Sequence, residues 1–137
     1  MELQQYNKPY HTDQSIVYSC QYHVIFCPKY RRKVLTGELA VRVKQLVLEK
    51  QAEYGYLVIE MQVLPDHVHL LLDVDPREGI NAIVGKIKGF TSHELRNEFP
   101  WLKKRLPTLW TRSKFISTVG SVTLAVVQQY IEAQKNV

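Results

Sequence analysis

The stretch Leu64-Pro65-Asp66-His67-Val68-His69-Leu70-Leu71-Leu72-Asp73-Val74 decides the architecture. From His67 onward it alternates. Val68, Leu70, Leu72 and Val74 share one parity, and His67, His69, Leu71 and Asp73 share the other. Successive side chains of a strand point to opposite faces, so this is a strand with an apolar side for a core. Its other side carries two imidazoles, two residues apart. Leu64-Pro65-Asp66 is a tight connection, and Leu57, Ile59, Met61 and Val63 alternate before it as the preceding strand.

Farther upstream, Leu39, Val43, Leu46 and Val47 recur at helical spacing, with Arg42, Lys44 and Glu49 on other faces and Gly55 as a stop. Before that helix, Tyr18, Cys20, Tyr22, Val24 and Phe26 alternate with Ser19, Gln21, His23 and Ile25 as a first strand. Pro28 ends it, and the basic turn Lys29-Tyr30-Arg31-Arg32-Lys33 follows.

Downstream, Asp75-Pro76 and Gly79 mark a loop. Ile80, Ile83, Val84 and Ile87 begin a second amphipathic helix that reaches Leu95 and ends before Pro100. Trp101 to Pro107 reads as a basic, irregular connection, and Leu109 to Ser117 as a fourth strand. Gly120 breaks the chain, and Ser121 is an N-cap for a last helix through Val122, Val126, Tyr130 and Gln134. The order βαββαβ followed by a helix predicts an α+β, ferredoxin-like sandwich with an antiparallel sheet and an extra C-terminal helix. The two crossover helices cover one sheet face, and the last helix is the candidate cover for the other. No repeat or linker divides the chain, so residues 1–137 are expected to form one domain.

At 137 residues and 45% hydrophobic, the chain is long enough for an ordinary core. No apolar run approaches the roughly 20 residues that span a bilayer. Met1 to Tyr10 is polar and lacks the apolar region of a signal peptide, so a cytoplasmic protein is expected. Cys20 and Cys27 stand on opposite parities of one extended segment, which disfavours a disulfide and favours reduced thiols. Eighteen Lys and Arg against 13 Asp and Glu give a net charge of +5 and a pI near 9.2, which favours a polyanionic partner.

His67 and His69 are placed to share one metal ion, and the competing reading is two surface histidines on a half-exposed strand. A metal needs a third anchor. Tyr130 and Gln134 are spaced i, i+4, hence on one helix face. If that helix crosses the open sheet face, Gln134 supplies an oxygen ligand and Tyr130 sits beside the ion. Otherwise Tyr130 is an ordinary core tyrosine and Gln134 a solvated residue.

Leu64-Pro65-Asp66-His67-Val68-His69-Leu70-Leu71 resembles the His–hydrophobic–His element of the HUH endonucleases, in the form found in single-tyrosine (TnpA-type) transposases of small bacterial and archaeal insertion sequences. Tyr22-His23-Val24-Ile25-Phe26-Cys27-Pro28-Lys29-Tyr30-Arg31 is similar to that family's first strand and turn. Lys88-Gly89-Phe90-Thr91-Ser92-His93-Glu94-Leu95 is similar to its second-helix signature. Leu109-Trp110, Phe115 and Gly120 lead into Tyr130-Ile131-Glu132-Ala133-Gln134, which resembles the tyrosine segment. One departure is Ser121, where a second glycine is frequent.

The resemblance implies a transposase that nicks and rejoins single-stranded DNA through a 5′-phosphotyrosine, with Tyr130 as nucleophile. It implies Mg²⁺ or Mn²⁺ held by His67, His69 and Gln134. It also implies hairpin-forming DNA ends as substrate, and a homodimer in which Gly120 is the hinge of the tyrosine helix. Asp66 is a candidate to orient a ligand histidine, the alternative being a turn residue, and His23 is a candidate to lie near the site, the alternative being a satisfied structural histidine. Lys29, Tyr30, Arg31, Arg32 and Lys33 suit phosphate contact with base stacking, and Lys86, Lys88, Lys103, Lys104, Arg105, Arg112 and Lys114 are candidates to extend the track, the alternative being a solvated basic face. Consistent with energy-neutral strand exchange, the sequence has no GxxxxGK[ST] loop. Two rivals stand: a non-catalytic nucleic-acid module on the same sandwich, which lacks the aromatic RNP1 pattern on its third strand, and a metal-dependent phosphodiesterase using water, which needs the histidines but not Tyr130.

Overall fold

A computed structural model describes residues 11–12, 15–119 and 124–137. A short antiparallel ribbon, β1 (His11–Thr12) with β2 (Val17–Tyr18), precedes the main sheet. That sheet contains β3 (Gln21–Phe26), β4 (Tyr56–Leu64), β5 (His67–Val74) and β6 (Phe115–Thr118). Its spatial order is β4-β5-β3-β6, with every neighbouring pair antiparallel. This is the ferredoxin-like order that the element sequence predicts.

Helices α1 (Gly37–Glu49) and α3 (Ile80–Glu98) close one sheet face. Leu39, Val43, Leu46 and Val47 from α1, and Ile83, Val84, Ile87 and Leu95 from α3, meet Val24, Phe26, Val68, Leu70, Leu72 and Val74. All are at most 2% exposed, and each large aliphatic among them contributes roughly 1.5–3 kcal/mol by leaving water. A short α2 (Gln51–Tyr54) ends at Gly55, whose φ of 83° is left-handed and suits glycine. The parity of β5 therefore fixes the polarity of the molecule: helices on one side, imidazoles on the other.

The strand read from Leu57, Ile59, Met61 and Val63 is β4, with a bulge that the alternation does not show, and two other expectations need correction. The alternation Leu57, Ile59, Met61, Val63 does not face one side throughout. Leu57 pairs with Asp73 and Val58 with Leu72, but Glu60 pairs with Leu71, so a bulge at Ile59 shifts the register. Tyr56 and Val58 point to the core before the bulge, and Met61 and Val63 after it.

Trp101 to Pro107 is not wholly irregular. Trp101–Arg105 form α4, begun by Pro100 at φ −59° and anchored by buried Leu102, with Leu106 one turn on. The fourth strand is shorter than Leu109 to Ser117. Trp110 makes one isolated bridge to Pro28, the chain then departs from the sheet, and β6 starts only at Phe115.

The last helix, α5 (Leu124–Ala133), carries Tyr130 as expected. The hinge assigned to Gly120 and the cap assigned to Ser121 lie outside the described residues. Cys20 and Cys27 are both free, and burial pushes the Cys27 thiol up to about 12, which keeps it inert. Among the described residues no helix is long and apolar enough to cross a membrane.

Candidate active site

The face of the sheet away from α1 and α3 carries His67 and His69 on β5, with His23 and Ile25 beside them on β3. Ile25 is fully buried yet outside the main core, so this face is covered too. At its far end the buried Asp73 carboxylate accepts from the Cys20 backbone N–H at 3.2 Å and pairs with His11 Nε2 at 2.9 Å, so the β1–β2 ribbon reaches over it.

Near the histidines the cover is α5. Tyr130 lays its ring against Phe115 of β6, centroids 5.3 Å apart, and its hydroxyl lies 3.0 Å from Ser113 Oγ. One turn later Gln134 is 6% exposed, and its Oε1 has no hydrogen-bond partner among the described residues. A buried amide oxygen left so costs about 1–3 kcal/mol unless something binds it.

A chain of polar contacts ties α5 to the histidine strand. Arg31 donates to Glu132 Oε2 at 3.1 Å and to the Ile131 carbonyl at 3.3 Å. Its Nε lies 3.3 Å from Asp66 Oδ2. The other Asp66 oxygen meets His67 Nδ1 at 2.8 Å, so Nε2 is the nitrogen of that ring not engaged by the carboxylate. The Tyr30 N–H adds a bond to the Val137 carbonyl at 2.8 Å.

Tyr30 and Arg31 both have positive φ, 59° and 52°, which costs non-glycine residues on the order of 1–2 kcal/mol each. The strain aims Arg31 inward, where these charge-assisted bonds offset it. Arg31 was expected on the DNA surface. Instead its side chain is 16% exposed and is spent on Asp66 and α5.

His69 and His23 face each other through ring nitrogens, Nε2 to Nδ1, at 3.1 Å. Burial first, and then the neighbouring His23 and His67, hold His69 below the ordinary histidine range. The neutral ring that results is the form that ligates metals. Burial pushes the Tyr130 phenol above its usual value, and the Ser113 hydrogen bond opposes that rise.

Among the described residues no three His, Cys, Asp or Glu side chains converge on one point, so a metal here requires an amide as third donor. The amide that the sequence offers for that place is Gln134 on α5. Two imidazoles, one braced by a carboxylate, together with a partnerless buried oxygen are a donor set that fits a divalent ion.

The proposed DNA track divides. Arg32 and Lys33 are exposed, Tyr30 is 42% exposed, and Lys29 Nζ sits 5.2 Å from the Tyr30 ring centroid. Arg32 and Arg105 line one cleft of about 280 Å³, which joins the turn to α4 with its Lys103 and Lys104. Arg112 is exposed and Lys114 half-buried beside them in sequence. Lys86 lies over Tyr54, with Nζ 5.7 Å from that ring, on the helical side. Lys88 is turned into the fold, donating to backbone carbonyls at Thr111 and Ser113. Sequence reasoning missed Ser113 and the inward role of Arg31; nothing local marks either, because their partners lie 17 and about 100 positions away.

The ferredoxin-like sheet thus carries paired histidines on one face, with the tyrosine helix packed on Phe115 of its β6 edge. The sequence profile of the family described as "Transposase IS200 like" matches residues 16–134. The ISDra2 transposase TnpA of Deinococcus radiodurans is 42% identical over 120 residues, 86% of this chain and 86% of that protein. The transposase for insertion sequence element IS200 of Salmonella typhimurium is 35% identical over 120 residues, 85% of this chain and 78% of that one.

A crystal structure of a putative transposase from D. radiodurans superposes with a TM-score of 0.85 at 34% identity, covering 93% of this chain and 99% of that one. A REP-associated tyrosine transposase bound to a REP hairpin shares the fold, with a TM-score of 0.56 at 11% identity over 95% of this chain and 69% of that one. The chain belongs to the IS200-like transposase family.

Proposed function

We propose that this transposase, as a single catalytic domain over residues 1–137, nicks and rejoins single-stranded DNA at insertion-sequence ends with Tyr130 as nucleophile. The observation that carries the reading is the docking of α5: it buries a partnerless Gln134 oxygen and sets Tyr130 one turn away on the histidine-bearing face. Tyr130 Oη attacks the scissile phosphorus, the P–O3′ bond breaks, the phenol gives up its proton and the departing 3′-oxygen gains one. One phosphodiester replaces another, so the reverse attack by a 3′-OH rejoins strands without ATP.

His67, His69 and Gln134 would hold the divalent ion, with Asp66 orienting His67. A bound ion supplies charge neutralisation at the phosphate oxygens and favours ionisation of a phenol that burial keeps protonated. Two imidazoles suit Mn²⁺ better than Mg²⁺. The strip from half-buried Lys29 through exposed Tyr30, Arg32 and Lys33 to α4 offers phosphate contacts and a stacking ring for hairpin ends, which are read largely by shape and unpaired bases. We place the protein in the cytoplasm as a homodimer with Gly120 as the hinge of the tyrosine helix.

The test is to incubate the protein with Mn²⁺ and single-stranded DNA bearing the element's end. The expected product is a covalent protein–DNA adduct, mapped to Tyr130 by mass spectrometry and abolished by EDTA. Wild-type protein that binds the hairpin without cutting it would favour the non-catalytic module.

Replacing Gln134 by Leu tests the metal arm from another direction. Removing a buried oxygen without a partner should raise the urea-unfolding free energy in EDTA by about 1 kcal/mol or more. The same variant should lose the extra stability that Mn²⁺ gives the wild type. A destabilised variant in EDTA would mean that the amide makes bonds the reading denies it.

A further inference from the structure

Lys88 stands on α3, in the segment the sequence suggested for DNA contact, yet its ammonium ends inside the protein. Nζ donates to the Thr111 carbonyl at 2.7 Å, to the Ser113 carbonyl at 3.0 Å and, more weakly, to the Arg112 carbonyl at 3.4 Å. These three carbonyls belong to the one stretch between the Trp110 bridge and β6 where the chain leaves the sheet. Backbone carbonyls released from a ladder need other donors, and an ammonium with three protons is suited to gather three of them.

A second α3 side chain grips the same stretch, since Thr91 Oγ1 accepts from Trp110 Nε1 at 2.9 Å. The stretch ends at Ser113, whose hydroxyl is the hydrogen-bond partner of the Tyr130 phenol. Tyr130 is otherwise steered by its ring packing on Phe115, two residues farther along at the start of β6.

We propose that Lys88 and Ser113 are positioning residues for the nucleophile: Lys88 shapes the 111–113 segment, and Ser113 aims the Tyr130 oxygen. This inference rests on Tyr130 being the attacking group. It assigns Lys88 no contact with DNA. In-line attack tolerates little misplacement, and an error near 1 Å costs on the order of 100-fold in rate.

The experiment measures three quantities on the full chain with Mn²⁺ and the single-stranded end: single-turnover adduct rate, hairpin affinity at several salt concentrations, and melting temperature. Ser113→Ala should slow adduct formation on the order of 10- to 100-fold, with affinity and melting temperature close to wild type, and Ser113→Thr should restore the rate. Lys88→Met should slow it as well, with the salt dependence of binding unchanged.

Ser113→Ala reacting at the wild-type rate would overturn the inference and leave the tyrosine mechanism standing. So would a Lys88→Met variant whose salt slope is shallower by about one, the mark of a lost phosphate contact. If Lys88→Met does not fold, the Ser113 pair decides alone. Adducts formed by Tyr130→Phe would instead remove the mechanism beneath both.

Discussion

Tyr130→Phe is expected to abolish the covalent adduct, lowering strand cleavage by at least about 10³-fold, the scale on which losing an attacking atom registers. Hairpin binding should persist. The substitution removes only Oη, and the ring keeps its packing on Phe115. Ser113 loses a hydrogen-bond partner, but it is half-buried, so water can replace the phenol and the cost to folding should stay near 0.5–1.5 kcal/mol. A quench on denaturing gels separates adduct from nicked product. Cleavage by Tyr130→Phe at undiminished rate, with no adduct from the wild type, would make the protein a water-using phosphodiesterase and sink the phosphotyrosine reading.

The contrast between Tyr130 and Arg31 shows what a sequence of this kind discloses. The two faces of β5 were legible because parity is a local property: Val68, Leu70, Leu72 and Val74 form an unbroken series that no register slip can hide. The strand order followed, since a βαββαβ chain has few antiparallel solutions that bury such a face. Parity failed on β4, where a single bulge at Ile59 exchanges the two sides midway and leaves no trace in residue type.

Charge was the least legible property. Lys29-Tyr30-Arg31-Arg32-Lys33 reads as one basic patch, yet the left-handed backbone at Tyr30 and Arg31 turns one guanidinium inward and leaves its neighbours outside. Lys88 went the same way, for partners that exist only once the chain has left the sheet at Thr111. A long cation is spent or available according to contacts remote in sequence, and periodicity carries no information about those.

The same distinction frames the expectation for His67→Ala. Nicking should fall by at least about 10³-fold, and Mn²⁺ should bind far more weakly, by more than the 10- to 100-fold typical of losing a group that merely braces a ligand. The fold should survive. His67 lies on the side of β5 opposite the core, its neighbour Val68 stays fully buried under the helices, and Asp66 keeps Arg31 when the imidazole is gone. The folding cost is then one partly exposed hydrogen bond, about 0.5–1.5 kcal/mol.

Urea unfolding, metal titration and the adduct assay on one preparation separate these effects. Partial rescue of nicking by millimolar Mn²⁺ would locate the defect in metal occupancy, whereas undiminished nicking would place the metal elsewhere. An aggregated variant would contradict the parity of β5 itself. The arrangement of Asp66 and Arg31 makes that last outcome the least compatible with the structure: the carboxylate beside the imidazole is held by Arg31, itself tied to α5, so removing the ring leaves that support standing.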